Sequence, residues 1–192
     1  AAFVTLPSMD ALVPLFSLAQ QHAGPNLTAF EFISARALEF LLKHGTAPSP
    51  IPESSAPCSV LMQVSTAEAD RAGPLIETLL SEAMSAGLAR DVRLAISATQ
   101  RSAFWRMREQ MSEVQKFEGG SIKHDVSLPV ARIPEFLASS RISSCSFLPS
   151  SPISANPALN TIADRTPFFA QSFSAPSTSV FRRAMETIST PP

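Results

Sequence analysis

Apolar residues along this chain change period repeatedly, and each change marks an element. Ala1-Ala2-Phe3-Val4-Thr5-Leu6 is an apolar run of strand length, and Pro7-Ser8 then opens a helix with Leu12, Leu15, Phe16 and Leu18 at helical spacing, ending near His22-Ala23-Gly24. The same order repeats. Leu27 to Ile33 is rich in β-formers and aromatics, and Ser34 caps a helix carrying Ala37, Leu38, Phe40 and Leu41 before His44-Gly45 stops it. Pro48, Pro50, Pro52 and Pro57 remove backbone donors over 46–57, which predicts a connecting loop.

Ser59 to Val64 reads as the next strand. A long helical stretch follows from Ala67 to Gly87, with Leu75, Ile76, Leu79, Leu80 and Met84 on one face and Pro74 suited to a first turn. Asp91 to Ile96 alternates as a strand does, Thr99 to Lys116 is helical, and Gly119-Gly120 breaks that helix ahead of a strand over Ile122 to Leu128. Pro129 to Leu137 reads as a short closing helix. Short strands interleaved with helices predict an α+β fold: a ferredoxin-like antiparallel sheet with helices on one face. Beyond Leu137 the periodicity disappears into Ser- and Pro-rich sequence, and Ser139 to Pro192 is expected to be largely disordered, because it buries too little to offset its ordering entropy. The division expected is therefore 1–137 and a low-order tail over 138–192.

Composition narrows the function classes. A net charge of -1 offers no basic stripe for a phosphate backbone, so nucleic acid is not expected as a partner. The apolar runs are shorter than the roughly 20 residues that cross a bilayer, so no transmembrane segment is expected. Cys58 and Cys145 give neither a disulfide framework nor a zinc pattern, which points to a reducing compartment and a cytoplasmic location. The absence of an initiator Met and of a signal-like opening reads as mid-protein sequence.

Candidate chemistry concentrates between Trp105 and Asp125. Arg108 and Ser112 are four apart and share a helix face, and the Gly-Gly break lets Lys123 return towards it on the next strand. An arginine fork, a compact ammonium and a hydroxyl together suit a carboxylate. The plain alternative makes Arg106, Arg108, Glu109 and Glu113 the solvated face of an ordinary helix. His124 and Asp125 point to opposite faces of a strand, which disfavours their pairing. His22 and His44 sit where an imidazole meets terminal carbonyls. Glu31, between Phe30 and Phe32, is expected to face solvent, with a functional carboxylate the lesser alternative, and Met62, Met84, Met107 and Met111 to fill core. No catalytic residue, metal ligand or nucleotide-binding motif of the common kinds is found.

The run Phe104-Trp105-Arg106-Met107-Arg108-Glu109, then Glu113-Val114-Gln115-Lys116, then Gly120-Ser121-Ile122-Lys123-His124-Asp125-Val126-Ser127-Leu128-Pro129 through Leu137 closely resembles the C-terminal domain of FAD-linked oxidases, and Thr28-Ala29-Phe30-Glu31-Phe32 fits the same pattern. That group includes D-lactate and D-2-hydroxyglutarate dehydrogenases. The resemblance implies oxidation of a D-2-hydroxy acid to the 2-oxo acid, with FAD carried mainly by a separate domain or chain and this part closing over the flavin. By position, Arg108 resembles the arginine that grips the substrate carboxylate, Ser112 falls where a hydroxyl assists, and Lys123 resembles a second cationic contact. The family continues into a His-x-x-Gly-Asp-Gly-Asn-x-His segment that supplies ligands for a divalent metal such as zinc; no histidine follows His124 here. The abrupt switch near residue 137 is what translation past a frameshift would give, so the chain by itself is expected to be an inactive fragment. The competing reading is a non-catalytic α+β binding or assembly module.

Overall fold

The computed structural model describes residues 1–45, 56–68, 70–118, 120–124, 129–136, 170–173 and 186–190. In chain order these form β1 (Ala2–Leu6), α1 (Leu12–Ala23), β2 (Leu27–Ser34), α2 (Ala35–His44), β3 (Cys58–Val64), α3 (Ala72–Ser85), β4 (Asp91–Leu94), α4 (Ala98–Val114) and β5 (Gly120–His124). Two further strands are β6 (Ala170–Phe173) and β7 (Glu186–Thr190). The main sheet has the order β4-β1-β3-β2-β6, and every pairing in it is antiparallel. Its first four strands, with α1 crossing from β1 to β2 and α3 from β3 to β4, form the two interleaved split βαβ units of the expected ferredoxin-like arrangement.

The expectation of helices on one face is corrected, because both faces are covered. Ala2, Val4 and Leu6 of β1 join Phe30, Phe32, Val60 and Met62 in a cluster closed by α1 and α3. Phe3, Ile33 and Leu61 point the other way, into a second cluster closed by α2 and α4. The sequence signal was present in the strands. β1 and β3 are apolar on nearly consecutive positions, the pattern of strands buried on both sides, whereas a sheet with one wet face alternates.

Local chemistry sets the helix limits. Ser34 Oγ accepts from Ala37 N at 3.2 Å to start α2, and Ser97 Oγ accepts from Gln100 N at 3.2 Å to start α4. Gln100 Oε1 also accepts from Ile96 N, the residue before the cap, at 2.8 Å. α3 begins at Ala72, later than the expected Ala67. It ends in a Schellman closure: Leu88 N donates to Ala83 O, Gly87 N donates to Met84 O, and Gly87 takes φ +69°, where a Cβ is unfavourable. Gly24 ends α1 differently, with φ +51° and its N–H donating to Gln20 O, because Pro25 after it has no N–H to give.

Among the described residues no helix is long and apolar enough to cross a membrane. The Pro-rich stretch 46–55, residues 125–128 and most of 138–192 lie outside the described residues; the exceptions in the tail are β6, beside β2, and β7, beside β5. The closing segment is a 3-10 turn at Val130–Arg132 followed by helix over 133–136, and Ile133 packs on the α1/α3 side.

Candidate functional site

α4 carries two parallel stripes. Phe104, Met107, Met111 and Val114 recur at helical spacing and are buried against Phe3 and Leu61 of the sheet. Beside them run Trp105, Arg108 and Ser112, half-buried at the border between core and solvent, while Arg106, Glu109 and Glu113 are exposed. The solvated-face alternative therefore holds for Arg106, Glu109 and Glu113, and fails for Arg108.

Arg108 is turned inward by Glu31. Its Nε–H donates to Glu31 Oε2 at 3.0 Å, with the Glu31 side chain only 4% exposed and that of Arg108 25%. Glu31 was expected to face solvent, and it is buried because its strand is covered on both sides. The register places it opposite Leu61, itself opposite Phe3, on the surface that α4 covers. One turn earlier on α4, Trp105 Nε1–H donates to Gln63 Oε1 at 2.7 Å. Gln63 lies two residues along β3 from Leu61, so it shares that face. Two polar ties thus join α4 to adjacent rows of the sheet.

Glu31 and Gln63 escaped sequence reasoning for one reason: a single polar residue in an apolar strand looks like a solvent-facing position until the second helical layer is known. The clue available was their position on strands that are otherwise almost wholly apolar.

Arg108 and Ser112 are brought together on one helix face, one turn apart, as expected. Lys123 lies on β5, opposite Thr187 of β7 in a separate two-stranded sheet. Its side chain, and that of His124, lie outside the described residues. The other histidines meet carboxylates where terminal carbonyls were expected: His22 pairs with Glu82 at 2.8 Å, joining α1 to α3, and His44 pairs with Glu118 beyond the end of α4. Lys43 also pairs with Glu118 at 2.7 Å, and these contacts, Lys43 first and His44 second, hold the Glu118 carboxyl below the usual carboxylate range. Met62, Met107 and Met111 are core, whereas Met84 is exposed.

Chemically, the arrangement offers one cation with an unfilled edge. Nε of Arg108 is occupied, and its two Nη groups make no hydrogen bond among the described residues. Ser112, one turn on, makes no hydrogen bond there either. Among the described residues, no group of three or more His, Cys, Asp or Glu is arranged to hold a metal ion.

The family described as FAD linked oxidases, C-terminal domain, matches residues 1–144. The chain is similar to D-2-hydroxyglutarate dehydrogenases. The mitochondrial protein of Danio rerio is 31% identical over 140 residues, which are 73% of this chain and 26% of that protein. Those of Stutzerimonas stutzeri and Xanthomonas citri are 30% and 33% identical, over 68% and 70% of this chain and 27% of each protein. The chain therefore spans about a quarter of the length of the curated relatives it matches.

Proposed function

The chain belongs to the FAD-linked oxidases, through their C-terminal domain, and from that premise we propose that it serves the oxidation of a D-2-hydroxy acid of the lactate or 2-hydroxyglutarate type to the 2-oxo acid. Its part is to hold the substrate carboxylate over the flavin. The observation that carries this reading is the half-buried Arg108 guanidinium, tied at Nε and, among the described residues, without a hydrogen bond at the Nη edge. An arginine fork fixed in this way pairs a carboxylate with two parallel N–H···O bonds and defines the position of the adjoining C2. Ser112, one turn away on the same stripe, is placed to meet the 2-hydroxyl, and Lys123 is the second cationic contact.

Bound FAD would take hydride from C2. Arg108 suits a carboxylate, and the chain has no Gly-rich motif for a diphosphate, so we assign the flavin mainly to a separate domain or chain. A divalent metal such as zinc would likewise draw ligands from outside the described residues. We divide the chain into a substrate domain over 1–137 and a tail over 138–192 outside that role; the family match itself runs to residue 144.

The test is reconstitution with the flavin domain of a relative, followed by anaerobic addition of D-2-hydroxyglutarate or D-lactate. The expected result is bleaching of the oxidised flavin, with kcat/KM reduced roughly 10- to 100-fold in Arg108→Ala, the scale of a lost charge-assisted hydrogen bond. A formed complex that bleaches equally well with Arg108→Ala would sink the reading.

A further inference from the structure

We infer that Glu31 is the positioning residue of this site: it holds Arg108 by the Nε edge, so that the Nη1/Nη2 edge is the one presented to the substrate carboxylate. The inference rests on the carboxylate-binding reading of Arg108 and names the residue through which that reading works.

Burial is the first argument. Removing a carboxylate from water is expensive, and a buried ion pair often contributes less to stability than apolar side chains of the same size. Glu31 shares its face of the sheet with Phe3, Ile33 and Leu61, all buried, so the sheet itself has no need of a charge there. What the charge does is fix a guanidinium at the rim of the core.

Geometry is the second. A guanidinium pairs a carboxylate either side-on, through Nε and one Nη, or end-on, through both Nη groups. Glu31 occupies Nε at 3.0 Å and thereby closes the side-on mode to a ligand. The end-on mode remains, and its direction is set by the strand.

A second tie holds the helix that carries Arg108. A lone ion pair would leave α4 free to roll and carry Arg108 with it. Trp105 on Gln63, at 2.7 Å, pins the same helix three residues earlier to the adjacent row of the sheet. Locking a functional side chain from behind in this manner keeps its geometry within the tolerance that tight binding requires.

The experiment uses the full 192-residue chain with labelled arginine, observed by NMR while D-2-hydroxyglutarate or D-lactate is added. In the wild-type chain the Arg108 Nε–H should exchange slowly with water, and ligand should move its Nη signals while Nε stays in place. Glu31→Gln should accelerate Nε–H exchange and raise the Kd at least about tenfold, the size of one charge-assisted bond. Glu31→Asp, which keeps the charge but shortens the reach, should fall between the two. Arg108→Lys should stay folded, since it can still pair with Glu31, yet lose binding for want of the fork.

Equal binding by folded Glu31→Gln and wild type overturns the positioning role alone. Should Glu31→Gln fail to fold, Glu31→Asp decides, because unchanged binding there overturns the inference equally. Arg108 Nη signals that ignore both acids in the wild-type chain remove the carboxylate reading, and the inference with it.

Discussion

The two faces of the sheet are built on different terms. On the α1/α3 side the buried cluster is apolar, with Phe16 and Phe30 meeting edge-on at 5.1 Å between ring centroids, neither helix begins with a side-chain cap, and the His22–Glu82 contact between the helices lies at the solvent edge. On the α2/α4 side both helices are capped by serine, and the apolar cluster is interrupted by Glu31, Arg108, Trp105 and Gln63. A buried core held by packing alone specifies where its helices lie. One held also by directional polar contacts specifies how a helix is rotated, which is what a binding side chain at its border requires.

The largest effect separates the faces outright. Phe30→Ala should cost about 3–5 kcal/mol in urea unfolding, since a fully buried ring is lost and the cavity cannot collapse completely. Hydroxy-acid binding by the folded fraction should be unchanged, because Phe30 points away from α4. Reduced affinity in that fraction would mean that the two faces are coupled.

Arg108→Ala comes next, at about 3 kcal/mol, because it strands a buried carboxylate. Replacing the pair together, Glu31→Leu with Arg108→Leu, should return stability to within about 1 kcal/mol of wild type and leave binding abolished. Denaturant melts of the two variants beside the wild type check this. A double variant as unstable as the single one would show that the pair is needed to hold the fold and is no device for binding.

That outcome also bears on what the sequence could reveal. The sheet and its order of elements were legible because periodicity switches cleanly at Ser34 and at the two glycines of positive φ, Gly24 and Gly87. Arg108 and Ser112 were legible as a pair from spacing, and their proposed role from the resemblance. The second helical layer was missed, and Glu31 with it. Strand burial on two sides is a tertiary fact, and one glutamate between phenylalanines carries opposite meanings according to whether a helix covers it.

Capping should show a smaller contrast. Ser97→Ala removes the oxygen that satisfies Gln100 N and should cost about 1 kcal/mol in a denaturant melt. Because the start of α4 governs how firmly Trp105 and Arg108 are presented, Ser97→Ala should also weaken hydroxy-acid binding. On the other face Gly87→Ala should cost a similar amount, about 1–2 kcal/mol, through φ +69° alone, with binding untouched. Equal loss of binding in both variants would remove the distinction between the faces.

The smallest effect lies in acid. Each face has a clasp between its helices, His22 to Glu82 on one side and Lys43 with His44 to Glu118 on the other. They differ in exposure: the Glu82 side chain is 51% accessible and that of Glu118 is 17%, so water screens the first far more than the second. Glu118 has its pKa lowered in the folded chain, by Lys43 first and His44 second. A carboxyl whose folded pKa is depressed adds stability above its unfolded value, roughly pH 4.3, and loses it as pH falls through the folded value. Wild-type stability should therefore decline below about pH 4–5 more steeply than that of Glu118→Gln, by the share this carboxyl supplies. Urea melts of the two chains across that range test this, and an acid limb unaffected by Glu118→Gln would mean that the clasp joining α2 to the end of α4 carries no stability of its own.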